Sequence, residues 1–138
     1  MRKLTLLVVD DDDVIRMIFS RIMVSTLARQ DIELVVLEAK DGEAGLTMLL
    51  THLGEIDLII SDCDMNPGNS GFWFFEQAAS YLDGTPFWLM SATKRDAPEG
   101  VLRFIEKPFD VHTLAALLVA TDADEEEDLD PPVETPMS

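Results

Sequence analysis

Residues 4–13 read LTLLVVDDDD, six residues with a single polar side chain followed by four aspartates. An apolar run this short, closed by charge, predicts a strand buried on both faces, the habit of parallel sheets. Asp11 or Asp12 can cap the helix that follows. There Ile15, Ile18, Phe19, Ile22 and Met23 recur at helical spacing, with Arg16 and Arg21 off the stripe. The pattern then repeats. Residues 32–39 (IELVVLEA) predict a second strand, followed by a turn at Lys40-Asp41-Gly42 and a helical stripe of Leu46, Leu49, Leu50 and Leu53. Residues 56–61 (IDLIIS) predict a third strand, again closed by an acid, Asp62. A loop over 64–71, rich in Asn, Pro, Gly and Ser, leads to a helix with Phe72, Phe75, Ala79 and Leu82 on one face. Residues 86–90 (PFWLM) and 102–106 (LRFIE) predict strands four and five. A last helix over about 110–121 carries Val111, Leu114, Ala115 and Leu118. Alternating strands and helices imply an α/β fold, a parallel sheet covered on both faces with right-handed crossovers. One crossover is unusual: ten residues separate Ser91 from Leu102, including Pro98 and Gly100, too few for a normal helix with its loops.

The chain has 138 residues, a length that fits one domain able to bury its own core. Its single cysteine, Cys63, leaves no intramolecular disulfide and suits a reducing compartment. No apolar run reaches the roughly 18 residues of a membrane span, and Met1-Arg2-Lys3 runs straight into the first strand without a cleavage site. The expectation is a cytoplasmic protein. Its net charge of −17 repels phosphate backbones, which argues against nucleic-acid binding. Eight of the 27 acids lie at 122–138, where there is no Lys or Arg and three of the seven prolines stand. Self-repelling charge with almost nothing to bury predicts a disordered acidic tail over 122–138, after a folded domain over 1–121.

The residues that close the strands carry the chemistry. Asp10 and Asp11 follow strand one, Asp62 strand three, Ser91 strand four and Lys107 strand five. Parallel strands put all these ends on one edge, where open α/β sheets bind ligands. Three converging carboxylates need a cation, and hard oxygen donors suit Mg²⁺. A lysine and a hydroxyl beside that cation can hold an anion, which is the equipment of phosphoryl transfer.

The order of these motifs resembles the receiver domain of bacterial response regulators. The matching text is LLVVDDDDVIR at the start, IDLIISDCDMNPGNSGF in the middle, PFWLMSAT around Ser91 and FIEKPF at 104–109. The resemblance covers residues 4 to about 120. It implies a flavodoxin-like, doubly wound five-stranded sheet of order 2-1-3-4-5. It also implies a phosphoacceptor, not a turnover enzyme, that takes its phosphoryl group from a sensor histidine kinase, a histidine phosphotransfer protein or a small phosphodonor. Asp62 would be the nucleophile. Asp11, Asp62 and the backbone carbonyl of Asp64 would bind Mg²⁺, with Asp10 acting through metal-bound water. Lys107 would contact the phosphoryl group, Ser91 would hydrogen-bond it, Phe104 would be the switch aromatic, and Lys107-Pro108 would be cis. Output would pass by protein contact or phosphorelay from a single-domain receiver.

Three features depart from that pattern. The loop reads M-N-P where M-P is usual, Asp64 adds a carboxylate that can slow transfer by repulsion or position water, and the fourth helix, between strands four and five, is short or absent. The connection at 93–100 is expected to be a loop that orders on phosphorylation, with Lys94 and Arg95 closing over the added charge. Two other readings compete. Asp62-Cys63-Asp64 also fits the D-x-D nucleophile motif of haloacid-dehalogenase-like phosphatases, although that motif follows the first strand and a later acid pair is missing. A phosphorylation-independent adaptor on the same fold is the other. Asp12 and Asp13 read as helix N-terminal charges, Cys63 as a small buried residue, and His52 and His112 as surface residues without metal-ligand spacing.

Overall fold

A computed structural model describes residues 2–65, 70–93, 96 and 98–126. Five strands, β1 (Arg2–Val9), β2 (Ile32–Ala39), β3 (Leu58–Asp62), β4 (Phe87–Ser91) and β5 (Arg103–Glu106), form one all-parallel sheet in the order β2-β1-β3-β4-β5. The central strands alternate between two apolar faces, so both sides of the sheet need a cover. Leu4, Leu6, Val8, Leu58, Ile60, Trp88 and Met90 face one core. Leu7, Val9, Ile59, Phe87 and Leu89 face the other.

The first core is covered by a helical rod and by the last helix. The rod consists of α1 (Asp13–Met17), a π-helical segment (Ile18–Met23) and α2 (Val24–Ala28). Asp12 caps it, accepting from the Val14 N–H at 2.9 Å. The expected stripe is corrected here: Phe19, Met23 and Leu27 are buried and Ile15 packs against them, while Ile22 is exposed. The wider i→i+5 turns rotate more slowly, so residues four apart stay in line and Ile22 is carried off the face. The second core is covered by α3 (Gly42–Thr51) and α4 (Gly71–Ala78), which continues as a 3₁₀ turn (Ala79–Tyr81). Leu49 is buried under α3, but Leu50 and Leu53 are exposed. Phe74, Phe75 and Ala78 are buried under α4, and Ala79 is not. In both helices the leading apolar residues compete for one face, and the sheet contact selects among them.

Between β4 and β5 no described residue is helical. The cover that a helix would give is supplied by aromatic rings: Phe87 packs against Phe74 and Phe75 at centroid distances of 5.3 and 5.0 Å. Val101 and Phe104 close over the same core. Lys94 and Arg95, expected to close over added charge, lie outside the described residues, as does Asn66, the extra residue of M-N-P. The final helix, α5 (Val111–Glu126), runs past the boundary expected at 121. Thr121 is still buried and donates to the Leu117 carbonyl at 2.9 Å, and adding residues to an existing helix is cheap. Residues 127–138 lie outside the description. Among the described residues no helix is long and apolar enough to cross a membrane.

Candidate functional site

Main-chain bonds that prolong the sheet place the strand-closing residues at one edge. Asp10 N–H donates to the Ala39 carbonyl (3.0 Å), Cys63 N–H to Met90 (2.8 Å) and Lys107 N–H to Ser91 (2.8 Å). Carboxylate oxygens of Asp10, Asp11 and Asp62 lie within 4.8 Å of one another. Lys107, preceding a cis proline, bridges two of them: its Nζ stands 2.9 Å from Asp10 Oδ2 and 3.1 Å from Asp62 Oδ1. Asp10 and Asp62 are buried and Asp11 is exposed, so the cluster opens to solvent on the Asp11 side.

Burial raises the Asp10 carboxyl above the usual aspartate range, against the pull of its hydrogen bonds from Lys107 and the Asp12 N–H. Asp62 is raised by burial first and by the charge of Asp10 second. Burial alone would lower Lys107, but the hydrogen bond and charge of Asp10, joined by Asp62, outweigh it and hold the ammonium above its ordinary value. One lysine cannot neutralise three carboxylates. The donors are all hard oxygens, one side is open, and the set fits Mg²⁺, which keeps several waters beside a few carboxylates.

Ser91 is buried at the same edge; its hydroxyl donates to Asp64 Oδ2 at 3.0 Å and accepts from the Thr93 N–H at 3.0 Å. Asp64 is exposed, and its own N–H donates to the Asp62 carboxylate. Phe104 is half-buried against the second core. His52 is half-buried and its Nδ1 lies 2.9 Å from the Met48 carbonyl; His112 is exposed.

Two residues of the site escaped the sequence reading. Arg16, off the apolar stripe, donates to the Asp10 carbonyl at 2.6 Å and pairs with Glu38 at 3.3 Å and with Asp13. The i,i+3 spacing to Asp13 was legible; the approach of Glu38 from the end of β2 was not. Gly71 opens α4 directly beneath the end of β3: a Cβ there would stand 2.2 Å from the Asp62 carbonyl oxygen. No side chain is compatible with that approach, so the glycine sets how close α4 sits to Asp62.

The family described as response regulator receiver domain matches residues 6–119. Among solved structures, the receiver domain from the hybrid histidine kinase CckA is 34% identical, with a TM-score of 0.67, covering 85% of this chain and 97% of that one. A response regulator receiver protein from Pseudomonas putida is 26% identical, with a TM-score of 0.64 and coverage of 87% and 98%. A response regulator receiver domain protein from Clostridium thermocellum shares the fold at 20% identity and a TM-score of 0.69, with coverage of 89% and 97%. No curated protein matches.

Proposed function

This chain belongs to the response regulator receiver family of two-component signalling, and from that premise we propose that it accepts a phosphoryl group on Asp62. The observation that carries the reading is the contact of Lys107 with both Asp62 and Asp10, inside a three-carboxylate cluster open on one side. Asp62 is the nucleophile: one of its carboxylate oxygens attacks phosphorus, and the donor's histidine nitrogen or acetate leaves. Lys107, already beside the carboxylate, takes a phosphoryl oxygen and offsets its charge. Asp11, Asp62 and the main-chain carbonyl of Asp64 would hold Mg²⁺, and Asp10 would act on it through water. When bound, that ion neutralises charge on the transferred group. Ser91 hydrogen-bonds the phosphoryl group, and Phe104 responds to its movement.

Receiver domains meet histidine kinases or phosphotransfer proteins, and a phosphohistidine on one of these is the donor we assign. The cytoplasm is the compartment that this reading calls for. Downstream signalling then proceeds by protein contact or phosphorelay. The phosphatase alternative finds no support in the family match, and the adaptor alternative is separated by labelling. Mass spectrometry after acetyl phosphate and Mg²⁺ is expected to show one added phosphate, lost in Asp62→Asn. Label that persists in the variant overturns the nucleophile; no label in wild type favours the adaptor.

A further inference from the structure

A hydroxyl has one proton to donate, and that of Ser91 is committed to the Asp64 carboxylate at 3.0 Å. We infer that Asp64 is a latch: a positioning residue that occupies the Ser91 hydroxyl, so that Ser91 can serve a phosphoryl oxygen only after Asp64 releases it. The inference rests on the reading of Asp62 as phosphoacceptor and of Ser91 as its hydrogen-bond donor.

Three features support a latch. Ser91 is fully buried, so water is a poor substitute partner while the latch is closed. The Thr93 N–H, donating to the same oxygen, fixes the hydroxyl from the other side and ties its state to the start of the β4–β5 connection. Asp64 itself is exposed, so water can receive its carboxylate when it lets go. Hydrogen bonds to ionised acceptors are the stronger kind, but solvent access on the Asp64 side limits what is lost on opening. An effect of roughly tenfold on the equilibrium is the expected scale. Charge works in the same direction, because a phosphoryl group on Asp62 brings further negative charge towards Asp64. Repulsion alone, however, needs no Ser91, and that difference makes the two separable.

The test is a double-mutant cycle on binding of beryllofluoride, a phosphoryl mimic, with Mg²⁺ and the full chain, measured by calorimetry. Asp64→Ala is expected to tighten binding roughly tenfold more in wild type than in the Ser91→Ala background. Repulsion cancels between the two backgrounds, so the excess is the latch. Asp64→Asn removes the charge but keeps an acceptor oxygen, and is expected to retain a coupling of a few-fold with Ser91→Ala. Effects of Asp64→Ala and Ser91→Ala that multiply to within about twofold overturn the latch while leaving the site reading intact. A wild type that does not take the mimic, or an Asp62→Asn variant that takes it equally well, overturns both.

Discussion

Two buried carboxylates share one ammonium, and that ratio governs how the residues respond to pH. In the unfolded chain Asp10 and Asp62 titrate near 3.8; in the folded protein both give up their protons at higher pH. Their contribution to stability is therefore full below about 3.8 and is lost as pH rises through the raised folded values, the reverse of ordinary acid denaturation. Lys107 behaves differently: raised above 10.5, it contributes throughout the neutral range and is lost only in alkali beyond its folded value. In chelator at pH 7, Asp62→Asn is expected to be more stable than wild type by about 1–2 kcal/mol, because it removes a buried charge that Lys107 only partly offsets. The difference should shrink as the pH is lowered towards 4. Urea denaturation across that range measures it, and a wild type that is the more stable form at pH 7 contradicts the electrostatic account.

At the scale of elements, sequence periodicity located the helices but did not choose which residues they bury. Ile22, Leu50, Leu53 and Ala79 all fit an apolar stripe and all end up exposed. The choice was made by the sheet, which offers each helix a face of fixed width, and by the π-helical segment, which no local spacing announced. The β4–β5 connection shows the opposite case, since its length alone excluded a normal helix. Its replacement is side-chain packing: Gly100 has φ of +99°, and a Cβ there would meet the Phe75 ring at 2.9 Å. Gly100→Ala is expected to cost about 2–3 kcal/mol, the left-handed backbone and the displaced ring together. Gly54→Ala, at φ +81° with nothing within 4 Å, is the control, with a cost of about 1–2 kcal/mol. Equal losses in thermal or urea denaturation would show that the Phe75 contact does not hold the connection down.

For the whole molecule the net charge of −17 concentrates attention on cations. The acidic cluster is assembled only by folding, so a Mg²⁺ ion held there would stabilise the native state, and Mg²⁺ at ten times its Kd is expected to add about 1.4 kcal/mol, a rise in Tm of about 5 °C. Asp11→Ala should blunt that rise, since Asp11 stands on the open side of the cluster. An unchanged wild-type Tm counts against the metal site.

By itself the sequence determined the five short strands and their parallel run, the edge at which the strand-closing residues collect and the membership of the acidic cluster, while the strand order followed only from the resemblance of its motifs to receiver domains. It could do so because parallel strands that are buried on both faces must be short and apolar, and must end together in the polar residues that reach solvent. Tertiary structure alone decided the contacts made across the edge by residues distant in the chain. Arg16 meets Glu38 and the Asp10 carbonyl, Gly71 admits α4 against Asp62, and Asp64 takes the Ser91 hydroxyl from 27 residues away. Such pairings depend on crossover geometry and on close approach of backbones. A linear pattern of polar and apolar residues records only which way each side chain faces, and so contains neither.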